Sequence, residues 1–127
     1  MRLPTGLLLL ALLAPLGCTT IDMTHRVAGW PELQVVQHYV PDDEIRARCS
    51  KYAPWGFTPE ACSEFNFVAK RCDVWFSSDY PPQPYIVQHE LLHCQGYDHP
   101  GDTELADILA RYNASKRVSE TGKPPRG

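Results

Sequence analysis

The eleven residues His89-Glu90-Leu91-Leu92-His93-Cys94-Gln95-Gly96-Tyr97-Asp98-His99 constrain this chain more than any other segment. On a helix, residues four apart lie about 40° apart around the axis and about 6 Å along it, so His89 and His93 share a face. Two imidazoles so placed can supply two corners of a zinc tetrahedron. Gly96 permits a sharp turn after the helix, and His99, three residues on, can return as a third ligand. Three protein ligands leave a position open to water, the catalytic rather than the structural arrangement, and one zinc ion is the expected cofactor. Glu90 lies about 100° round from His89, beside the metal face, where its carboxylate can take a proton from that water. Val87, Leu91 and Cys94 form a stripe on the opposite side that should face the core. Cys94 therefore suits a buried disulfide better than a metal. The alternative is a buried helix whose histidines are satisfied by hydrogen bonds.

The pattern HExxHxxGxxH resembles the signature of the metzincin clan of zinc metallopeptidases. That resemblance implies His89, His93 and His99 as zinc ligands and Glu90 as general base. Metzincins also carry a methionine turn after the third histidine, whereas the two methionines here are Met1 and Met23. With 28 residues after His99, the cleft is expected to be open or differently shaped. His93 and the run Gly96-Tyr97-Asp98-His99 also resemble the three-histidine motif of bacterial ribosomal-RNA maturation metalloproteins. That family usually has glycine where Glu90 stands and works in the cytoplasm, and the N-terminus of this chain points elsewhere.

Arg2, the apolar run from Leu7 to Ala14, and Gly17 before Cys18 describe a secretory signal over 1–17, too short for a comfortable permanent span. Gly17-Cys18 resembles the lipobox of bacterial lipoproteins, although Pro15 stands where that family usually has leucine. The resemblance implies a lipidated Cys18 at the start of the mature protein and a lipid anchor in the cell envelope. An ordinary cleaved signal with Cys18 nearby by accident is the alternative. Cys49, Cys62, Cys72 and Cys94 remain, an even number in an exported small domain, and read as two disulfides. The expected pairing is Cys62–Cys72 across a hairpin and Cys49–Cys94 between helices. A structural zinc site is the rival reading, but the spacings contain no CxxC pair.

The rest of the chain reads as one α+β domain, a minimal zincin-like unit in which a short sheet packs on the zinc-binding helix. Residues 18–32 read as a lipidated tether and 33–112 as the domain. Within it, 33–40 is a β-branched strand, and a helix with an acidic first turn follows Pro41 and stops near Tyr52. Residues 53–60 are loop, 61–76 a hairpin and 85–95 the motif helix ending at Gly96. A short helix over about 103–112 takes Asp102 as N-cap, and 113–127 reads as a disordered tail.

With 12 Lys plus Arg against 15 Asp plus Glu and no basic run, the chain offers no electrostatic support for a nucleic-acid partner. Eight glycines form no GxGxxG pattern, which argues against a dinucleotide fold. The favoured function is zinc-dependent hydrolysis of peptide bonds, with a peptide or protein substrate. A non-catalytic zinc-containing envelope lipoprotein is the alternative, and a metal-dependent nuclease a more distant one. Oligomeric state is not legible. Weaker site residues are His38, Tyr97 and Tyr112, with Trp55 as a cleft rim and Trp30 and Trp75 as core. Asp102, Glu104 and Asp107 could orient a ligand histidine, though capping and solvation explain them better.

Overall fold

The computed structural model describes residues 23, 25–53 and 59–122. Its elements are β1 (His25–Arg26), β2 (Gln34–Val40), α1 (Asp42–Cys49), a 3-10 turn at Ser50–Tyr52, β3 (Ala61–Asn66), β4 (Arg71–Ser77), α2 (Pro84–Cys94), β5 (Tyr97–Asp98) and α3 (Glu104–Thr121). The described residues thus form a mixed α+β fold with two small sheets, three helices and two disulfides. None of the described helices is long and apolar enough to cross a membrane.

The main sheet has the order β2-β4-β3. Its centre, β4, pairs antiparallel with β3 through the expected hairpin and parallel with β2. Strand side chains alternate, so paired register sorts them onto two faces. Ala61, Cys72, Val74 and Phe76 face α2 and pack with Ile86, Val87 and Cys94. Cys62 and Trp75 face the other way and pack with Ile45 and Cys49 of α1. The sheet is therefore covered on both faces, and the motif helix lies on one of them. A third cluster, with Val27, Trp30, Phe67, Leu105 and Leu109 at its centre, joins α3 to the body.

This parity overturns the expected disulfide pairing. Cys49 bonds Cys62, and Cys72 bonds Cys94. Cys62 lies opposite Trp75 in the ladder and Cys72 opposite Phe65, so the two hairpin cysteines are three rungs apart and on opposite faces. Each can reach only the helix that covers its own face. The expected core stripe on α2 fares better, since Val87 and Cys94 do pack against the sheet.

Two boundaries also shift. The stretch expected as tether is built into the fold at Met23 and over 25–32: Met23, Val27 and Trp30 are buried, and His25–Arg26 pairs with Tyr97–Asp98. Its polarity misleads because a few large apolar residues suffice to anchor a short segment. The expected tail is helical to Thr121 and stops where Gly122 takes a left-handed φ of +61°. Nothing in 113–121 breaks a helix, since no glycine or proline occurs there. Residues 1–22, and with them the signal segment and Cys18, lie outside the described residues, as does Trp55.

Candidate metal centre

The centre is built from one helix and the turn that follows it. α2 opens with Pro84 at its first position, where the missing N–H costs nothing. Its histidines lie four residues apart, and His89 Nε2 sits 3.1 Å from His93 Nε2. The chain then reverses at Gly96, with φ of +89°. β5 returns His99 to the cluster with its Nε2 3.2 Å from that of His89. A tetrahedral zinc site with bonds of 2.0–2.1 Å has ligand–ligand edges of roughly 3.3 Å. Two of the edges match that length and all three imidazole nitrogens lie within 4.8 Å of one another, an arrangement that fits such an ion.

The surroundings set these nitrogens up to act as acceptors. His93 Nδ1–H donates to the Tyr97 carbonyl at 2.8 Å, which leaves Nε2 carrying the lone pair. Burial, followed by the charges of His93 and His99, pushes the His89 imidazolium down to about 4. Burial likewise pushes His93 down, against the pull of the Tyr97 carbonyl. Neutral imidazole is the ligating form, and burial favours it at His89 and His93. Asp102 Oδ2 lies 3.3 Å from His99 Nδ1, beside the outer ring nitrogen. His89 Nδ1 is buried with no hydrogen-bond partner among the described residues.

Glu90 is 7% exposed and opens onto the same cleft as the three histidines, a cavity of about 860 Å³. Its Oε2 accepts a 2.6 Å hydrogen bond from Ser63 Oγ on β3. Burial pushes the carboxyl above its ordinary value, and the Ser63 hydrogen bond offsets part of that rise. The result is a carboxyl held in place but readier than usual to take a proton. Phe65, Tyr85, Ile86, Leu105 and Ile108 supply apolar wall. β3 lines the cleft as the sheet's edge strand, with no strand paired to its outer side among the described residues.

The structure thus brings His89, His93, His99 and Glu90 to one cleft. His38 lies elsewhere, on the α1 face, where it bonds Asp73 at 2.6 Å and stacks on Trp75. Tyr112 packs on Phe67, and Tyr97 lines a separate groove with Arg26 and Trp30. Glu104 reaches the cleft, and Asp107 accepts a hydrogen bond from Thr103 Oγ1. Asp102 is not the cap of α3: that position is Thr103, which makes no side-chain capping bond. Asp98 does the capping from outside the helix. Buried at 2% exposure, it accepts from the His99 and Leu105 amides and ties the third histidine to the start of α3.

Ser63 and Asp98 escaped the sequence reading. For Ser63 a signal existed, because a polar residue between Ala61 and Phe65 interrupts the inward-facing stripe of a strand. Asp98 gave none. No family model, curated protein or solved structure matches the chain.

Proposed function

We propose that this protein is a zinc-dependent hydrolase of peptide bonds, exported and anchored to the cell envelope through Cys18. One observation carries the reading: three convergent imidazole nitrogens share a cleft with a buried carboxyl that is not among them. Mere retention of zinc requires the histidines but not Glu90. His89, His93 and His99 would hold the ion, which when bound supplies Lewis acidity toward a carbonyl and lowers the pKa of water. Glu90 takes the water's proton and later returns one to the leaving amine. Ser63 holds the carboxylate in place through both transfers. The outer edge of β3, unpaired among the described residues, offers backbone donors and acceptors to an extended polypeptide, which favours a peptide over other hydrolysable substrates.

The test is Glu90→Gln in the full chain, assayed for zinc content and for cleavage of a broad peptide library. Zinc should be kept and hydrolysis lost. If wild type and variant cleave equally, the mechanism is wrong. If both bind zinc and neither cleaves, the protein is a non-catalytic zinc-containing lipoprotein. The anchor is tested separately, by membrane fractionation of Cys18→Ser against wild type, with equal association of both forms excluding lipidation.

A further inference from the structure

The last carbonyls of a helix have no partner within it and must find donors elsewhere. In α2 and the turn after it, three successive carbonyls find them in one short stretch near the N-terminus. Trp30 Nε1 donates to the Cys94 carbonyl at 2.9 Å. Arg26 Nε donates to Gln95 at 2.9 Å, and the Val27 amide to Gly96 at 2.8 Å. The Trp30 indole also lies flush against Gly96, where an added Cβ would meet the ring at 2.4 Å. The turn is therefore gripped on its carbonyl side and packed from one face.

That turn is the hinge between two metal ligands. His93 precedes it on α2 and His99 follows it after β5. Three extended residues from Gly96 span about 10 Å, so a 10° change in the turn would move the His99 imidazole by roughly 2 Å. Metal–ligand distances tolerate only about 0.2 Å. Asp98 ties the far end of this lever to α3, and its angle at the near end depends on what holds the Gly96 turn.

We propose that Trp30 is a positioning residue of the metal centre, setting the angle of the Gly96 turn and so the place of His99, with Arg26 assisting. It touches neither the cleft nor the ligand nitrogens and acts through the backbone. The inference depends on the zinc-binding half of the function proposed above and not on catalysis. It also makes the 25–30 segment part of the site: a chain beginning at residue 33 would keep every ligand and lose the element that orients the third.

The experiment measures Zn²⁺ affinity of the full chain by chelator competition, together with the visible spectrum of the Co²⁺ form. Trp30→Phe keeps an aromatic ring against Phe65, Phe67 and Gly96 but removes the N–H donor. It should leave metal-free melting within a few degrees of wild type, weaken Zn²⁺ binding about 10–100-fold, as partners behind metal ligands do, and alter the Co²⁺ bands. In a His99→Ala background the same change should cost little further affinity, because the ligand it positions is gone. Arg26→Met, at an exposed position, should weaken binding in the same direction by less, and carries the test should Trp30→Phe not fold. Unchanged Zn²⁺ affinity in the Trp30→Phe and Arg26→Met variants overturns the proposal. So does an equal loss with and without His99, which marks Trp30 as a core residue only. If wild type binds no Zn²⁺, it is the proposed function that fails.

Discussion

Ser63 Oγ, on the edge strand, donates a 2.6 Å hydrogen bond to Glu90 Oε2, on the helix packed over it, and these residues are 27 positions apart in sequence. The same hydroxyl lies 3.2 Å from the Glu90 backbone carbonyl. One small side chain thus fixes both the strand–helix approach and the direction of the proposed general base. Ser63→Ala should lower peptide hydrolysis about tenfold, the kinetic equivalent of losing a hydrogen bond to a charged group worth about 1.5 kcal/mol. With the hydrogen bond gone, burial is opposed only by the charge of His99, so the acid limb of the pH–rate profile should move to higher pH. Ser63→Thr, which keeps the hydroxyl, should restore most of the rate. An unchanged profile in the alanine variant would separate Ser63 from the chemistry.

Glu90 is expected to cost stability in the metal-free protein. Burial raises its folded pKa above the ordinary 4.5, so ionisation is easier in the unfolded chain. The sign follows: wild-type stability falls as pH rises from about 4.5 through the raised folded value. Glu90→Gln does not titrate and can still accept from Ser63. At pH 7 without metal it should melt several degrees higher than wild type, and the gap should close below pH 4. A lower melting point for Glu90→Gln at pH 7 would contradict the assignment of burial as the dominant influence.

Asp73 should behave in the opposite sense. Burial pushes its carboxyl up, but hydrogen bonds from His38 and Arg71 outweigh that and hold it below its ordinary 3.8. Its stabilising contribution is complete above about pH 4 and is lost as pH falls through the depressed value. Thermal unfolding of wild type and Asp73→Asn from pH 7 to pH 2 should show a gap that is full at neutral pH and vanishes in acid. A gap that persists at pH 2 would mean that Asp73 acts by shape alone.

The two disulfides should be separable by their effect on metal. Cys72–Cys94 closes 22 residues and pins the last residue of α2, next to His93, to the central strand. Cys49–Cys62 closes 13 residues and joins α1 to β3 on the other face. Loop closure assigns each about 3 kcal/mol of stability, so replacing either pair by alanines should lower the melting temperature comparably. Only the Cys72→Ala, Cys94→Ala pair should also weaken zinc binding. Equal effects on zinc from both pairs would show that general stability, rather than the fixed end of α2, governs affinity.

What the sequence determined by itself is what short-range geometry controls. The i, i+4 spacing of His89 and His93, a helix end at Gly96 and the return of His99 span eleven residues, and helix pitch plus one left-handed turn nearly dictates their meeting. The hairpin over 61–76 was legible for the same reason, since alternation and a short connection act locally. The tertiary structure alone decided what depends on register and on which face a residue takes. Cys62 pairs with Cys49 rather than Cys72 because the hairpin turn sets the two hairpin cysteines three rungs apart, and one rung more or less would have put them on the same face. Ser63 reaches Glu90, Asp98 reaches Leu105 and Trp30 reaches Cys94 only because packing brings separate elements together. Spacing names the atoms that can converge on a metal. The contacts that hold those atoms still come from distant parts of the chain, whose positions are fixed by burial of the whole core.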